Sequence, residues 1–215
     1  MMSFSSIYMG YVAPATTLLP IITGMVYYKK LNSPLRTLTF FLLFSLLINL
    51  IGIGMAQRHQ NNLPLLHFYT IFELVGVLFY YYQALAEDRI RYWIKIIMVI
   101  FPVLCVINFT FFQSLYEFNT YTRPLEAIII IIFSLIYLNH QKDTEHENVV
   151  FTAGKWVSIG FLIYFCSSLF QFIFSNVVSK SAKEDIKSLV WVIHATFVMI
   201  MYLFFYIAIR NGRNK

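Results

Sequence analysis

The sequence predicts an all-α fold: a polytopic integral membrane protein built as a seven-transmembrane-helix bundle, N-terminus outside and C-terminus inside. Three observations predict it. The 215 residues are 59% hydrophobic and only 12% charged, whereas soluble domains carry about 25% charged residues. That leaves too little polar surface to cover a water-soluble globule. The apolar residues fall into seven runs, each near the roughly 20 residues that cross a hydrocarbon core of about 30 Å. The basic residues sit in short clusters between these runs. The net charge of +6 is therefore a membrane-topology signal rather than a nucleic-acid surface.

The runs cover roughly 7–28, 37–57, 65–85, 93–112, 123–139, 154–176 and 188–209. The first is followed, not preceded, by its positive charges, Lys29 and Lys30. It reads as a retained span rather than a cleavable signal peptide. The linker "RHQNNLP" separates the second run from the third, and Pro64 and Pro124 open the third and fifth. Proline costs little in a first helical turn, where the N–H it lacks would be unpaired anyway. The fifth run is short and carries Glu126 near its start. The longest inner loop, "HQKDTEHENVVFTAGK", is too short for a folded domain, so residues 1–215 read as a single transmembrane domain.

Orientation follows from Lys and Arg. With the N-terminus outside, Lys29, Lys30, Arg36, Arg89, Arg91, Lys95, Lys142, Lys155, Arg210, Arg213 and Lys215 fall on the inside. Arg58, Arg123, Lys180, Lys183 and Lys187 fall outside. Eleven against five favours this topology. The two cysteines, Cys105 and Cys166, lie inside apolar runs and read as free thiols acting as small hydrophobes.

Within lipid every backbone group must be satisfied internally, so the runs are helices. At about 100° per residue the third run places Tyr69, Glu73, Gly76, Tyr80 and Gln83 in one stripe. The second aligns Ser45, Asn49, Gly52 and Ala56. The sixth aligns Gly160, Tyr164, Ser168, Gln171 and Ser175, and the seventh Trp191, His194, Val198 and Met201. Small and polar stripes are helix–helix contact surfaces in membranes. Depth adds a second reading. At about 1.5 Å per residue, His67 and Glu126 lie near the outer edge, Asn108 and Gln171 deeper, and His194, Glu73 and Asn49 deeper still, about 9–12 Å in. Polar groups from different helices thus converge at one level, which predicts a pocket in the outer half.

Intramembrane ionisable residues face a cavity or bundle interior and mark function by default. Glu73 and His194 are accordingly the leading candidate ligand-binding residues, with Asn49, Tyr69 and Gln171 as polar lining. Glu73 can avoid its desolvation cost by taking up a proton. His67 and Glu126 read as interfacial and cheaply solvated, and Arg123, one turn from Glu126, as its local ion-pair partner. Most of the "YYY" at 80–82 reads as an interfacial aromatic belt.

The function this implies is binding of a small molecule in a sensory or receptor-like role, with membrane lipid around it and a partner protein for output. One alternative is a membrane-embedded enzyme acting on a lipid or amphiphile, with His67, Glu73, Glu126 and His194 as zinc donors. No HExxH or one-turn His pair supports a metal site, and no GxSxG elbow supports a serine nucleophile. A second alternative is a proton or ion pathway through Glu73 and His194. No cofactor is indicated. The last run lacks the interior lysine of microbial rhodopsins. It also lacks the Asp and paired histidines of the progestin-receptor and alkaline-ceramidase superfamily. The richness in Ile, Phe, Tyr, Asn and Lys suggests a bacterial cytoplasmic membrane as the location.

Overall fold

The computed structural model describes residues 7–140 and 149–213, and side chains from 152 onward in the second segment. Lys142, Lys215 and most of the acidic stretch in the loop before the sixth run lie outside the described residues. Among those residues there are seven helices long and apolar enough to cross a membrane and no strand, only an isolated bridge between Leu31 and Arg213.

Local chemistry sets the helix ends. Helix α1 (Tyr8–Val26) starts with one widened turn. Helix α2 (Ser33–Gln57) is capped by Asn32, whose side-chain oxygen accepts from the Leu35 N–H at 3.0 Å, and has Pro34 in its first turn. Helix α3 (Leu63–Ala84) has Pro64 in its first turn. Helix α4 (Asp88–Phe112) ends in a widened turn, Asn108–Phe112. Helix α5 (Thr122–His140) is started by Asn119, whose Oδ1 accepts from the N–H groups of Thr122 at 3.0 Å and Arg123 at 3.3 Å. Helices α6 (Val149–Ser181) and α7 (Glu184–Asn211) follow. Helix α6 has 33 residues, well beyond the predicted 154–176. Hydropathy detects only its apolar middle, and the helix continues through Asn176 and Lys180, where polar side chains suit an end outside the hydrocarbon.

Six helices close a ring. α1 packs on α2 and α7, α2 on α3, α3 on α5, α5 on α6, and α6 along most of α7; α4 packs outside, on α3. Helix α4 accordingly exposes Tyr92, Trp93, Val99, Val103 and Phe111 on its outer face. The connections at 58–62, 113–121 and 182–183 define the open end of the bundle. Those at 27–32 and 85–87, with the C-terminus of α7, define the closed end. The polar stripes partly serve as seams. Gly76 lies against Phe41 and Gly160 against Phe204 and Phe205, and a Cβ at either position would meet those side chains at 2.9–3.1 Å.

At the closed end Tyr80 and Tyr81 are buried core residues. The belt reading of this triplet is corrected: α5 and α6 cover that face, and the Tyr81 hydroxyl bonds Ser134 at 2.8 Å and Ser158 at 3.1 Å. Tyr82 stays near the rim, with the Arg91 guanidinium 5.5 Å and the Lys95 amine 5.3 Å from its ring centre. Both cysteines are free; Cys105 is buried, but Cys166 faces outward from α6.

Candidate functional site

Three helices bring buried or half-buried polar groups to the same depth. Glu73 and His194 are each ten residues from the open-end terminus of their helix, and Gln171 ten residues from that of α6. At 1.5 Å per residue this is about 15 Å, close to the middle of α3. Between these helices lies a cavity of about 490 Å³, within the usual range for small-molecule sites. Glu73, His194, Asn49, Tyr69 and Gln171 all line it, as do Arg123, Tyr164, Phe172 and Trp191.

Arg123 organises the site. It is 5% exposed and ion-pairs with Glu73 through Nη1, which also lies 3.0 Å from Glu126 Oε2. Its Nη2 points to the Tyr164 hydroxyl at 3.4 Å, and its guanidinium carbon stands 4.8 Å over the Phe172 ring and 5.6 Å from that of Tyr69. The Tyr69 hydroxyl lies 3.1 Å from both Glu73 Oε1 and Ser45 Oγ. With a single proton to give, it favours the carboxylate, the stronger acceptor.

This placement corrects three expectations. Glu126 and His67 are buried, at 0% and 1% exposure, rather than solvated at an interface. Glu73 is balanced by a guanidinium, not only by the option of a proton. The Arg123–Glu126 pair exists, but it reaches across to α3. The cause is the recessed start of α5. The 113–121 connection folds inward, with Gln113 and Asn119 buried. Glu117 O lies 3.0 Å from His67 Nε2, Asn119 Nδ2 donates to Thr70 Oγ1 at 3.3 Å, and Phe118 exchanges two 3.0 Å bonds with Asn176. So pinned, the first turn of α5 sits beside the middle of α3. The signal in the sequence is the polar run "NTYTRP" between two apolar runs: a cap, a proline-marked start, and an arginine between them.

His194 Nδ1 lies 2.9 Å from Ser168 Oγ, and the imidazole packs among Tyr164, Phe172 and Trp191 with ring centres 5.5–6.2 Å away. Its Nε2 makes no hydrogen bond among the described residues. Nor does the amide of Gln171, although that residue is 93% buried (7% exposed). Glu126 Oε1 and Arg123 Nε are also buried without partners among the described residues, Glu126 behind the cavity wall rather than on it. Asn49 donates to the Ser45 carbonyl at 3.1 Å, which leaves its Oδ1 unused. Asn108 lies apart, 3.4 Å from Gln113 Oε1 and away from the cavity wall. His67, Glu73, Glu126 and His194 do not gather as a metal set, because among the described residues no three His, Cys, Asp or Glu side chains converge.

Fold and geometry define the class: a seven-helix bundle of membrane-spanning character enclosing a polar cavity at mid-depth. Comparison with protein-family models, curated proteins and solved structures finds no match for the chain.

Proposed function

We propose that the cavity binds a small molecule and that the chain acts as a sensory or receptor-like membrane protein. One observation carries the reading. A buried Glu73–Arg123–Glu126 cluster stands beside an unfilled cavity whose wall includes the unpartnered Gln171 amide. Charges at such depth cost at least about 2.5–3.5 kcal/mol each even on lenient scales. A cluster that served only to join helices would be sealed by packed side chains, as the Tyr81 cluster is. Buried donors and acceptors with no protein partner are what a ligand's own polar groups would complete.

The charge asymmetry of the loops supports an orientation with the N-terminus outside, and the richness in Ile, Phe, Tyr, Asn and Lys is the ground for a bacterial cytoplasmic membrane. In that orientation the open end, and the cavity, face the exterior. The described connections are short, so a signal would leave through a partner protein in contact with the helices. The enzyme alternative gains little from Ser168 beside His194, since Ser168 is buried behind the cavity wall.

The test is a thermal-unfolding screen of purified protein against small polar and amphiphilic compounds. A stabilising compound is expected to lose its effect in Glu73→Gln. If every active compound shifts wild type and Glu73→Gln equally, the cavity is not the binding site.

A further inference from the structure

On the cavity wall the charged groups are answered by the fold, and the uncharged polar groups are not. The wall carries one carboxylate and one guanidinium, Glu73 and Arg123, and they pair with each other. Both oxygens of Glu73 are engaged, one by Arg123 and the other by the Tyr69 hydroxyl. Arg123 turns Nη1 to the carboxyl groups and Nη2 to Tyr164, and its guanidinium carbon stands 4.8 Å over the Phe172 ring. A charged guest would therefore enter a low-dielectric space with no free counter-charge, and burying an unpaired ion is costly. The Gln171 amide is different. It lines the cavity, its residue is only 7% exposed, and it makes no hydrogen bond among the described residues. It offers an acceptor and two donors side by side. On the same wall His194 Nε2 and Asn49 Oδ1 are likewise unused among the described residues.

Beside these groups the wall is a chain of rings. Between ring centres, Phe118 stands 5.5 Å from Trp191, and Trp191 6.2 Å from His194. His194 in turn stands 5.5 Å from Tyr164 and 5.8 Å from Phe172. The rings come from the 113–121 connection, α6 and α7, and all five line the cavity. Such a wall favours a flat aromatic guest, which gains offset-stacked or edge-to-face contacts against it. The edge of that guest must then carry what the Gln171 amide lacks. An adjacent N–H and C=O meet the amide oxygen and nitrogen in a two-fold pair.

We propose that the cavity takes an uncharged, planar heteroaromatic molecule of the lactam class, whose adjacent N–H and C=O pair with the Gln171 amide. The inference rests on reading the cavity as a ligand site and adds the guest's class and the group that selects it.

The experiment uses the full chain in phosphatidylcholine nanodiscs and follows the thermal midpoint with 2-quinolinone, coumarin, 2-naphthoate and 2-naphthylmethylamine. The lactam 2-quinolinone is expected to raise the midpoint by roughly 5–10 °C at a hundredfold excess over Kd. Coumarin keeps its shape and carbonyl but has oxygen in place of the N–H, and about tenfold more of it is expected for the same shift. No shift is expected from the anionic naphthoate or the cationic amine. Gln171→Leu, which removes no hydrogen bond within the described fold, is expected to keep the wild-type midpoint and lose the 2-quinolinone shift. Equal potency of 2-quinolinone and coumarin, or a 2-quinolinone shift that survives Gln171→Leu, overturns the proposal. So does a shift from either charged compound as large as that from 2-quinolinone; where that shift is lost in Glu73→Gln, the cavity remains a ligand site for another class of guest. Silence with all four compounds sinks the proposal, whereas the wider reading falls only to the screen above.

Discussion

The two ends of the bundle use the same kinds of residue for different ends. At the closed end, Tyr81 is buried and its hydroxyl is shared between Ser134 and Ser158; Ser134 also donates to the Ile130 carbonyl at 2.8 Å. Rings of Phe133, Tyr137 and Phe161 pack around it with centres 6.0–6.3 Å away. At the open end, Tyr69, Tyr164 and Trp191 surround empty space, and Gln171 and Glu126 keep polar atoms unpaired. The contrast teaches that the polarity of a membrane helix face does not separate a seam from a site. Satisfaction does: around Tyr81 the hydroxyls answer one another, whereas at the open end the Gln171 amide and Glu126 Oε1 find no partner among the described residues.

The largest break in this comparison comes from Arg123. Arg123→Leu leaves Glu73 and Glu126 buried without their cation, and removing one partner of a buried ion pair costs about 3–5 kcal/mol. Loss of a monodisperse peak on size-exclusion chromatography and a collapsed thermal midpoint are expected. Adding Glu73→Gln and Glu126→Gln to that background should recover much of the loss. Recovery would show that uncompensated charge, not lost packing, is the cause.

Gly154 tests the packed end. A Cβ there would lie 1.9 Å from the Tyr137 hydroxyl oxygen, and overpacking of this kind costs about 1–3 kcal/mol. Gly52→Ala at the open end meets only the Asn62 amide at 3.7 Å. It should be neutral or stabilising, because alanine favours a helix over glycine by roughly 0.5–1 kcal/mol. Opposite signs in thermal unfolding are expected from the same chemical change. A smaller step is Tyr81→Phe, which removes one shared hydroxyl and should cost about 1 kcal/mol.

The sequence made α2 legible almost to the residue, 37–57 against Ser33–Gln57, because a long apolar run bounded by Asn-Ser-Pro and Arg-His needs no tertiary information. It also made legible which side chains of α2, α3, α6 and α7 share a helix face. What it could not supply was the register of one helix against another. Arg123 stands at a span end, where a charge is cheap, and only the inward fold of residues 113–121 carries it beside Glu73. Tyr80 and Tyr81 also stand near a span end, and nothing local to them reports that α5 and α6 cover that face. The reading of single elements survives in three dimensions. The reading of depth fails wherever a connection enters the bundle instead of running over it.

The smallest expected effect sharpens the comparison most. Gln171 is buried but makes no hydrogen bond with any described residue, so Gln171→Leu removes no hydrogen bond. A leucine at that position buries apolar atoms in place of an unanswered amide, and replacement of this kind is neutral or slightly stabilising, within about 0.5 kcal/mol. An amide held in place by the fold would instead cost about 1–3 kcal/mol on removal, through the groups it left unpaired. If the open end is a site, Gln171→Leu should unfold at the wild-type temperature or slightly above it, yet lose the response to any compound that stabilises the wild type. If the open end is only a loosely packed seam, the substitution should move neither quantity. The two measurements, made on one purified variant, separate a cavity kept unsatisfied for a guest from one that is merely unfilled.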